Sequence, residues 1–253
     1  MHPVLFRIGG FTLYSYGLML LLAFLIGIYM TERRAKRRGI DPKKISDLAL
    51  WILIGAVIGS RLLYVALHWE EFSSDPIEII AFWRGGLAGL MLFGGFLGGF
   101  LSGLLYVKKQ RLPLLKMMDL VAPALAFGLF LVRIGCFLNG CCFGKPSSFG
   151  IIFPPHCAAG YTFPGERLHP TQLDTSLAGL IIFFTLLKIE KRKPKPGALF
   201  GTYLILHAGF RFGIDFIRYY ENSANLWTNQ IISLALVAVG IMLVLRRVGK
   251  SKR

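Results

Sequence analysis

Seven long apolar segments, separated by short polar stretches, constrain the fold of this 253-residue chain more than any other feature. An α-helix needs about 20 apolar residues to cross the hydrocarbon core of a bilayer, which is about 30 Å thick. The segments approach this length and lie at roughly residues 13–31, 47–67, 86–107, 117–135, 172–188, 198–217 and 228–246. The pattern predicts an all-α integral membrane protein with about seven transmembrane helices.

The basic residues predict the orientation of these helices. The net charge is +16, and most of the 29 Lys and Arg residues lie in four clusters that follow the first, third, fifth and seventh segments. Lys and Arg beside membrane spans remain on the cytoplasmic side. We therefore expect the N-terminus outside, the C-terminus in the cytoplasm, and no nucleic-acid partner. Residues 1–253 should form a single polytopic membrane domain with an outer loop at about 136–171.

Glycine spacing predicts where two of the helices pack closely. Gly55 and Gly59 lie four residues apart in the second segment, and Gly95, Gly99 and Gly103 repeat this spacing in the third. Small residues at this spacing let two helix backbones approach each other within a membrane. We expect both sets to serve helix packing.

Four arginines lie within or at the outer ends of apolar segments, where a charge is costly. They are Arg61, Arg133, Arg211 and Arg218. A guanidinium group keeps its charge when desolvated and carries its donors in a fixed fork that fits phosphate. These arginines therefore predict a phospholipid headgroup site near the outer interface. The alternative is that they snorkel or pair within the protein.

The sixth segment and the start of the fifth carry further polar residues. His207, Arg211, Asp215 and Arg218 are spaced i, i+4, i+8 and i+11, which predicts that they share one face of a helix. Asp215 could pair with Arg211 or with Arg218. His169 in LHPTQL precedes the fifth segment, where it could act as a helix cap or as a catalytic base.

Four cysteines, Cys136, Cys141, Cys142 and Cys157, fall in the expected outer loop. Structural thiols, disulfides and a reactive cysteine all remain open, although adjacent Cys141 and Cys142 would form a strained bridge. A zinc site is conceivable, but the spacing matches no standard zinc pattern, and we expect no metal. We also expect no cofactor.

In five motifs spread over nearly its whole length, the chain resembles the prolipoprotein diacylglyceryl transferase family. YSYGLM, GSRLLY, DLVAPALAFGLFLVRIGCFLNGCCFG, LHPTQL and RFGIDFIR are similar to family motifs that occur in the same order. The residues that correspond include Tyr16, Gly17, Gly59, Arg61, Tyr64, Asp119, Pro123, Arg133, Gly135, Phe137, Asn139, Gly144, Arg211, Phe212, Asp215, Phe216 and Arg218. Any one motif is weak, but five in order on a seven-helix frame are specific.

The resemblance implies an enzyme of lipoprotein biosynthesis in the bacterial cytoplasmic (inner) membrane. Such a transferase moves the diacylglyceryl group of phosphatidylglycerol to the lipobox cysteine thiol of a prolipoprotein, at the outer side of the membrane. Its partners are then the phospholipid donor and the prolipoprotein signal peptide. The implied phospholipid-binding residues are Arg133, Arg211, Arg218, Arg61, Asn139 and Tyr16, and the implied supporting residues are His169, Asp215, Gly135 and Gly144.

The chain departs from the family pattern where the chemistry would take place. Phe93 replaces a His that is a proposed base, Cys136 and Cys141 replace an Asn and a Glu, and Asp174 and His207 each replace a Tyr. We therefore assign the base to His207, with His169 second, and expect His207, Arg133 and Arg211 to be the catalytic residues.

Two other functions stay open at this point. A relative of the family could use the same phospholipid donor with a different acceptor. A lipid-binding or lipid-moving protein without enzymatic activity is the second. A transporter should carry polar residues along both halves of the bundle, whereas the inner half of these segments is nearly bare of them.

Overall fold

The computed structural model describes residues 1–9, 11–72 and 91–246, and most of these residues are helical. The helices are α1 (Ser15–Arg37), α2 (Lys43–Leu67), α3 (Trp69–Phe72), α4 (Leu92–Lys109), α5 (Leu114–Asn139), α6 (Ala158–Thr162), α7 (Thr171–Glu190), α8 (Ala198–Ile214) and α9 (Ser223–Leu245). Two antiparallel strand pairs accompany them, namely β1 (Val4–Ile8) with β2 (Phe11–Tyr14), and β3 (Pro146–Ile152) with β4 (Arg167–Leu168).

Five of these helices are long and apolar enough to cross a membrane. They are α1, α2, α5, α7 and the Ala224–Leu245 part of α9. Helix α8 is apolar but has only 17 residues. The third predicted segment begins at residues 86–90, which lie outside the described residues. A mostly helical chain with several membrane-spanning helices is therefore confirmed, whereas the number seven and the orientation of the termini stay predictions.

Two predicted helix ends are wrong. Helix α5 continues to Asn139, so Cys136 belongs to the helix and the loop begins later than expected. The predicted segment ended at about residue 135, but the helix stops only where Gly140 takes a left-handed φ of 71°. Helix α8 ends at Ile214, so Arg218 lies beyond it and does not share its face.

The described chain divides into two compact units. Unit 1 is formed by Met1–Thr31 and Leu115–Arg253, and unit 2 by Glu32–Leu114. Unit 1 contains the cysteines, the two candidate bases and three of the four candidate arginines. Unit 2 contains Arg61 and the glycine-rich helices α2 and α4.

Within unit 2, glycines bring α2 and α4 into backbone contact, as the sequence predicted. A Cβ added to Gly59 would lie 2.5 Å from the carbonyl oxygen of Gly94, and one added to Gly98 would lie 2.2 Å from that of Gly55. The predicted Gly95 stripe also faces α2, although its added Cβ would lie 3.3 Å from the nearest α2 atom. Phe93, beside these glycines, is 80% exposed and so faces away from the protein.

Within unit 1, a buried carboxylate joins α5 to the start of α8. Asp119 is 3% exposed and accepts hydrogen bonds from the backbone N–H groups of Gly197 at 2.7 Å and Phe200 at 2.9 Å. The first N–H groups of a helix have no partner inside the helix, and they favour a negative charge. Asp119 therefore stabilises the start of the helix that carries His207 and Arg211.

Candidate active site

The C-terminal end of α5 folds the chain back on itself. Gly140 donates its N–H to the carbonyl of Phe137 at 3.1 Å, and Cys141 donates its N–H to the carbonyl of Cys136 at 3.1 Å. This pair of hydrogen bonds around a left-handed glycine is a Schellman motif. In this motif the backbone N–H of the residue after the glycine donates to the carbonyl of the residue five positions earlier. Those two positions are occupied here by Cys141 and Cys136.

Three thiols meet at this turn. The Sγ atoms of Cys136, Cys141 and Cys142 all lie within 4.8 Å of one another, and all three are free cysteines. Cys142 adopts a left-handed φ of 61°. Hydrogen bonds with Cys136 and Cys141, together with the positive charges of Arg218 and Arg133, lower the pKa of the Cys142 thiol.

The start of α7 holds this cysteine loop in place. Thr171 Oγ1 donates to the carbonyl of Cys142 at 2.9 Å, and Gln172 Nε2 donates to the carbonyl of Cys141 at 2.8 Å. Thr171 and Gln172 are 1% and 0% exposed. Neither residue was predicted to have a role. Two polar residues in the first turn of an apolar helix do indicate that their side chains form hydrogen bonds inside the protein.

The loop is also fixed by backbone bonds to two other segments. Gly144 donates its N–H to the carbonyl of His169 at 2.9 Å, and Lys145 donates to Ile217 at 2.9 Å. A Cβ added to Gly144 would lie 2.8 Å from the His169 oxygen, so only glycine fits. Gly144 also forms an isolated bridge with Arg218, which positions that arginine beside the loop.

Gly135 brings α1 against α5 near the same place. A Cβ added to Gly135 would lie 2.9 Å from Met19 Cβ and 3.3 Å from Tyr16 Cα. The Tyr16 phenol is thereby held within electrostatic range of Arg133 and of the three thiols. The Asn139 side chain lies close to Cys141.

Arg211 is held by a buried polar network. Its Nε lies 3.0 and 3.1 Å from the two carboxylate oxygens of Asp215, which is 0% exposed, and its Nη2 donates to the Tyr220 hydroxyl at 3.0 Å. Tyr220 in turn donates to Asp215 at 2.7 Å, and Asn229 donates to Tyr220 at 3.2 Å. Burial and the bond to Asp215 raise the pKa of Tyr220, so the phenol keeps its proton. The pairing of Asp215 with Arg211 is confirmed.

Two further arginines lie near this network. Arg133 and Arg218 both lie within electrostatic range of Arg211. The guanidinium carbon of Arg218 lies 5.5 Å from the centroid of the Tyr220 ring. Among the described residues, neither Arg133 nor Arg218 forms an ion pair. Within the described residues, only Arg211 of these three arginines is paired with a carboxylate, and the excess positive charge suits an anionic headgroup.

His207 lies one helical turn before Arg211. Its ring stacks on Tyr203 with centroids 5.5 Å apart and planes 8° apart, and it lies within electrostatic range of Arg211 and Arg133. The sequence therefore predicted correctly that His207 and Arg211 are neighbours on α8.

His169 is placed differently. Its Nε2 lies 2.6 Å from the Asp174 carboxylate, and no side chain caps α7, whose N-cap residue is Pro170. The helix-cap interpretation is therefore wrong. His169 and Asp174 line one part of a cavity of about 610 Å³. Apart from Thr185, the rest of its lining consists of apolar residues of α7 and α8 and of Ile217.

Arg61, the fourth candidate arginine, belongs to unit 2. Its guanidinium carbon lies 5.1 Å from the ring centroid of Phe72 and 5.8 Å from that of Tyr64. These cation–π contacts stabilise its charge within that unit. The structure thus brings Arg133, Arg211, Arg218, His207 and Tyr16 together within unit 1.

Comparison with known proteins identifies the family of this chain. The sequence profile of the prolipoprotein diacylglyceryl transferase family matches residues 3–246. Among relatives named phosphatidylglycerol--prolipoprotein diacylglyceryl transferase, the protein of Clostridium tetani is 34% identical over 95% of this chain and 96% of its own length. That of Nostoc sp. is 36% identical over 94% and 87%, and that of Nitratidesulfovibrio vulgaris is 33% identical over 99% and 95%. The chain therefore belongs to the prolipoprotein diacylglyceryl transferase family.

Proposed function

We propose that this protein transfers the diacylglyceryl group of phosphatidylglycerol to the lipobox cysteine thiol of prolipoproteins. The observation that carries this proposal is a group of three arginines within electrostatic range of one another, in a family member with several membrane-spanning helices. The relatives' name specifies the donor and the acceptor protein. The excess positive charge of these arginines complements the negative charge of the donor's phosphodiester.

The reaction is a displacement at carbon. The acceptor sulfur forms a bond to the glyceryl carbon next to the phosphate, and the bond between that carbon and the phosphate oxygen breaks. Glycerol phosphate leaves with the electron pair. Because negative charge develops on the leaving oxygen, fixed positive donors around the phosphate stabilise the transition state more than the ground state.

The three arginines have different roles in binding the phosphate. Arg133 and Arg218, which form no ion pair within the described residues, contact the headgroup directly. Arg211, oriented by Asp215, contributes the third positive charge. Tyr16 and Asn139 border the same region.

His207 accepts the proton of the acceptor thiol. A histidine has an unperturbed pKa of about 6.5, so a neutral ring is available at physiological pH. Its position one turn from Arg211 places it beside the proposed headgroup. His169, oriented by Asp174, is the second candidate because a carboxylate-bound imidazole is a common form of general base.

We place this site at the outer side of the bacterial cytoplasmic membrane. The proposed arrangement has seven crossings, an outer N-terminus and a cytoplasmic C-terminus, with residues 1–253 acting as one membrane domain. The alternation of basic clusters supports this orientation. The apolar cavity beside His169 and Asp174 suits one acyl chain of the donor.

The test is direct transfer by the purified full chain. The protein in vesicles containing phosphatidylglycerol, labelled on its acyl chains, should give a labelled thioether on a lipobox peptide. A matched peptide with Ser for the lipobox Cys, and vesicles of phosphatidylcholine alone, are the controls. Binding of phosphatidylglycerol with no thioether on any thiol would favour a lipid-binding protein. A labelled thioether on a small thiol but not on the peptide would favour a different acceptor.

A further inference from the structure

The three thiols at the end of α5 match the ligand set of a metal site. Their Sγ atoms lie within 4.8 Å of one another. A tetrahedral zinc ion with Zn–S bonds of about 2.3 Å separates its sulfur ligands by about 3.8 Å. The three Sγ atoms are therefore already within about 1 Å of the separation that such an ion requires.

The backbone that presents these thiols is already fixed. The Schellman motif at Gly140 folds Cys141 onto Cys136. The carbonyls of Cys141 and Cys142 are held by the side chains of Gln172 and Thr171. The Oε1 atom of the same Gln172 amide is buried and has no hydrogen-bond partner within the described part of the chain. These contacts fix the positions of the three cysteines, which is what a preorganised ligand site requires.

A metal accounts for three thiols better than a disulfide does. A disulfide would use two of them and leave the third unexplained, and a bridge between adjacent Cys141 and Cys142 would be strained. Thiolate ligands select soft or borderline cations such as zinc. Three thiolates and one divalent cation carry a net negative charge, which Arg133 and Arg218, both within electrostatic range of Cys142, would offset.

We propose that Cys136, Cys141 and Cys142 form a three-thiolate site for a zinc-class divalent cation, whose open fourth position takes the thiol of the acceptor. Three protein ligands with a fourth position left for substrate is the pattern of catalytic zinc sites. Cys141 and Cys142 are partly exposed, so the position is accessible. Cys157 lies outside the group, because its thiol donates to the carbonyl of Pro154 at 3.1 Å.

The inference rests on the proposed function and adds a step to it. The acceptor thiol loses its proton to His207 as its sulfur binds the cation, since metal coordination stabilises a thiolate. The sulfur then forms its bond to the glyceryl carbon while the carbon–oxygen bond breaks and glycerol phosphate leaves. The product is a neutral thioether, a weaker ligand than a thiolate, so it dissociates from the metal. Zinc changes no oxidation state in this step.

Metal binding is tested without turnover. The reduced full chain in phosphatidylcholine vesicles is titrated with Co²⁺ and, separately, with Zn²⁺. We expect one ion per chain by elemental analysis, and an absorption band from thiolate-to-cobalt charge transfer. Cys136→Ala, Cys141→Ala and Cys142→Ala should each lose the band, whereas Cys157→Ala, the matched control from the same region, should keep it. Thermal unfolding identifies any variant that fails to fold.

The absence of a cobalt band in the reduced wild-type chain would overturn the proposal. So would a band that Cys157→Ala removes while Cys142→Ala, folded, retains it. The fourth position is tested by adding lipobox peptide to the cobalt form. The band should shift with the Cys peptide and not with the matched Ser peptide, and an identical response to both would refute binding of the acceptor thiol.

Transfer assays separate this inference from the proposed function. If metal-free protein, verified by elemental analysis, forms thioether as fast as the zinc form, the metal role is wrong and the transferase function stands. If the cobalt form shows the peptide-dependent shift but makes no thioether from phosphatidylglycerol, the site stands and the proposed donor fails. We expect metal removal to abolish most of the transfer and added Zn²⁺ to restore it.

Discussion

The Nε atom of Arg211 lies 3.0 Å from a carboxylate oxygen of Asp215, and this carboxylate is 0% exposed. Removing one partner of a buried pair leaves the other charge uncompensated, which costs about 3–5 kcal/mol. Arg211→Met should therefore lower both stability and transfer. The double variant Arg211→Met with Asp215→Leu should regain stability, measured by thermal unfolding, and remain inactive. Activity in the double variant would show that Arg211 serves the fold alone.

Arg133 offers a cleaner test of phosphate binding, because it forms no ion pair within the described residues. Arg133→Ala should abolish transfer while the protein stays folded in the membrane, with a loss of about 3–4 kcal/mol of transition-state stabilisation. Arg133→Lys should rescue poorly, since an ammonium lacks the fork. Lys116→Ala, on the same helix but exposed at its other end, is the control and should leave the rate unchanged. Full activity of Arg133→Lys would contradict bidentate recognition.

The general base is tested by exchanging the two histidines. His207→Gln should lower the rate by roughly 10²–10⁴, the range for a lost general base, with little change in donor binding. His169→Gln should have the smaller effect, measured in the same thioether assay. The opposite pair of results, an active His207→Tyr and an inactive His169→Gln, would assign the base to His169 and its partner Asp174.

Gly144 tests whether the cysteine loop must approach α7 this closely. Gly144→Ala would place a Cβ 2.8 Å from the His169 carbonyl oxygen, so it should lower both the unfolding temperature and transfer. Gly213→Ala is the matched control, because a Cβ at Gly213 meets no atom within 4 Å. Equal effects of the two substitutions would mean that the close approach at Gly144 is unimportant.

Membrane orientation is tested by reporter fusions. Fusions after residues 40, 110 and 193 should report the cytoplasm, and fusions within 145–165 should report the outer side, because Lys and Arg flank the former positions. A cytoplasmic signal from 145–165 would place the cysteine loop and the arginines on the wrong face for an exported acceptor.

Much of the site was predictable because its chemistry is local in sequence. Arg211 and Asp215 lie one turn apart on a helix, so their pairing follows from spacing alone. Membrane-spanning segments follow equally directly from apolar length. The i, i+4 spacing and the length of an apolar segment can both be read from the sequence alone, without knowledge of tertiary contacts.

What escaped prediction depends on where helices stop and on contacts between distant segments. The apolar segment was predicted to end at about residue 135, whereas α5 continues to Asn139. The sequence therefore did not reveal that the chain turns at Gly140 and brings Cys141 onto Cys136. Arg218 lies beyond the end of α8, where its backbone forms a bridge with Gly144 and does not continue the helix. Thr171 and Gln172 bind carbonyls about 30 residues earlier in the chain, and no local pattern encodes such a partner.

The bond between Asp119 and the start of α8 has a consequence for depth in the bilayer. Asp119 lies on the same helix as Arg133, and Phe200 lies on the same helix as Arg211. The hydrogen bond between Asp119 and Phe200 therefore fixes the positions of both arginines along their helices relative to one point. At 1.5 Å per residue, Arg133 stands about 21 Å along α5 from Asp119, and Arg211 about 16 Å along α8 from Phe200. A single residue inserted between anchor and arginine on either helix would turn that side chain by about 100° and displace it along the membrane normal. Length between these points, and not only residue identity, is therefore under constraint.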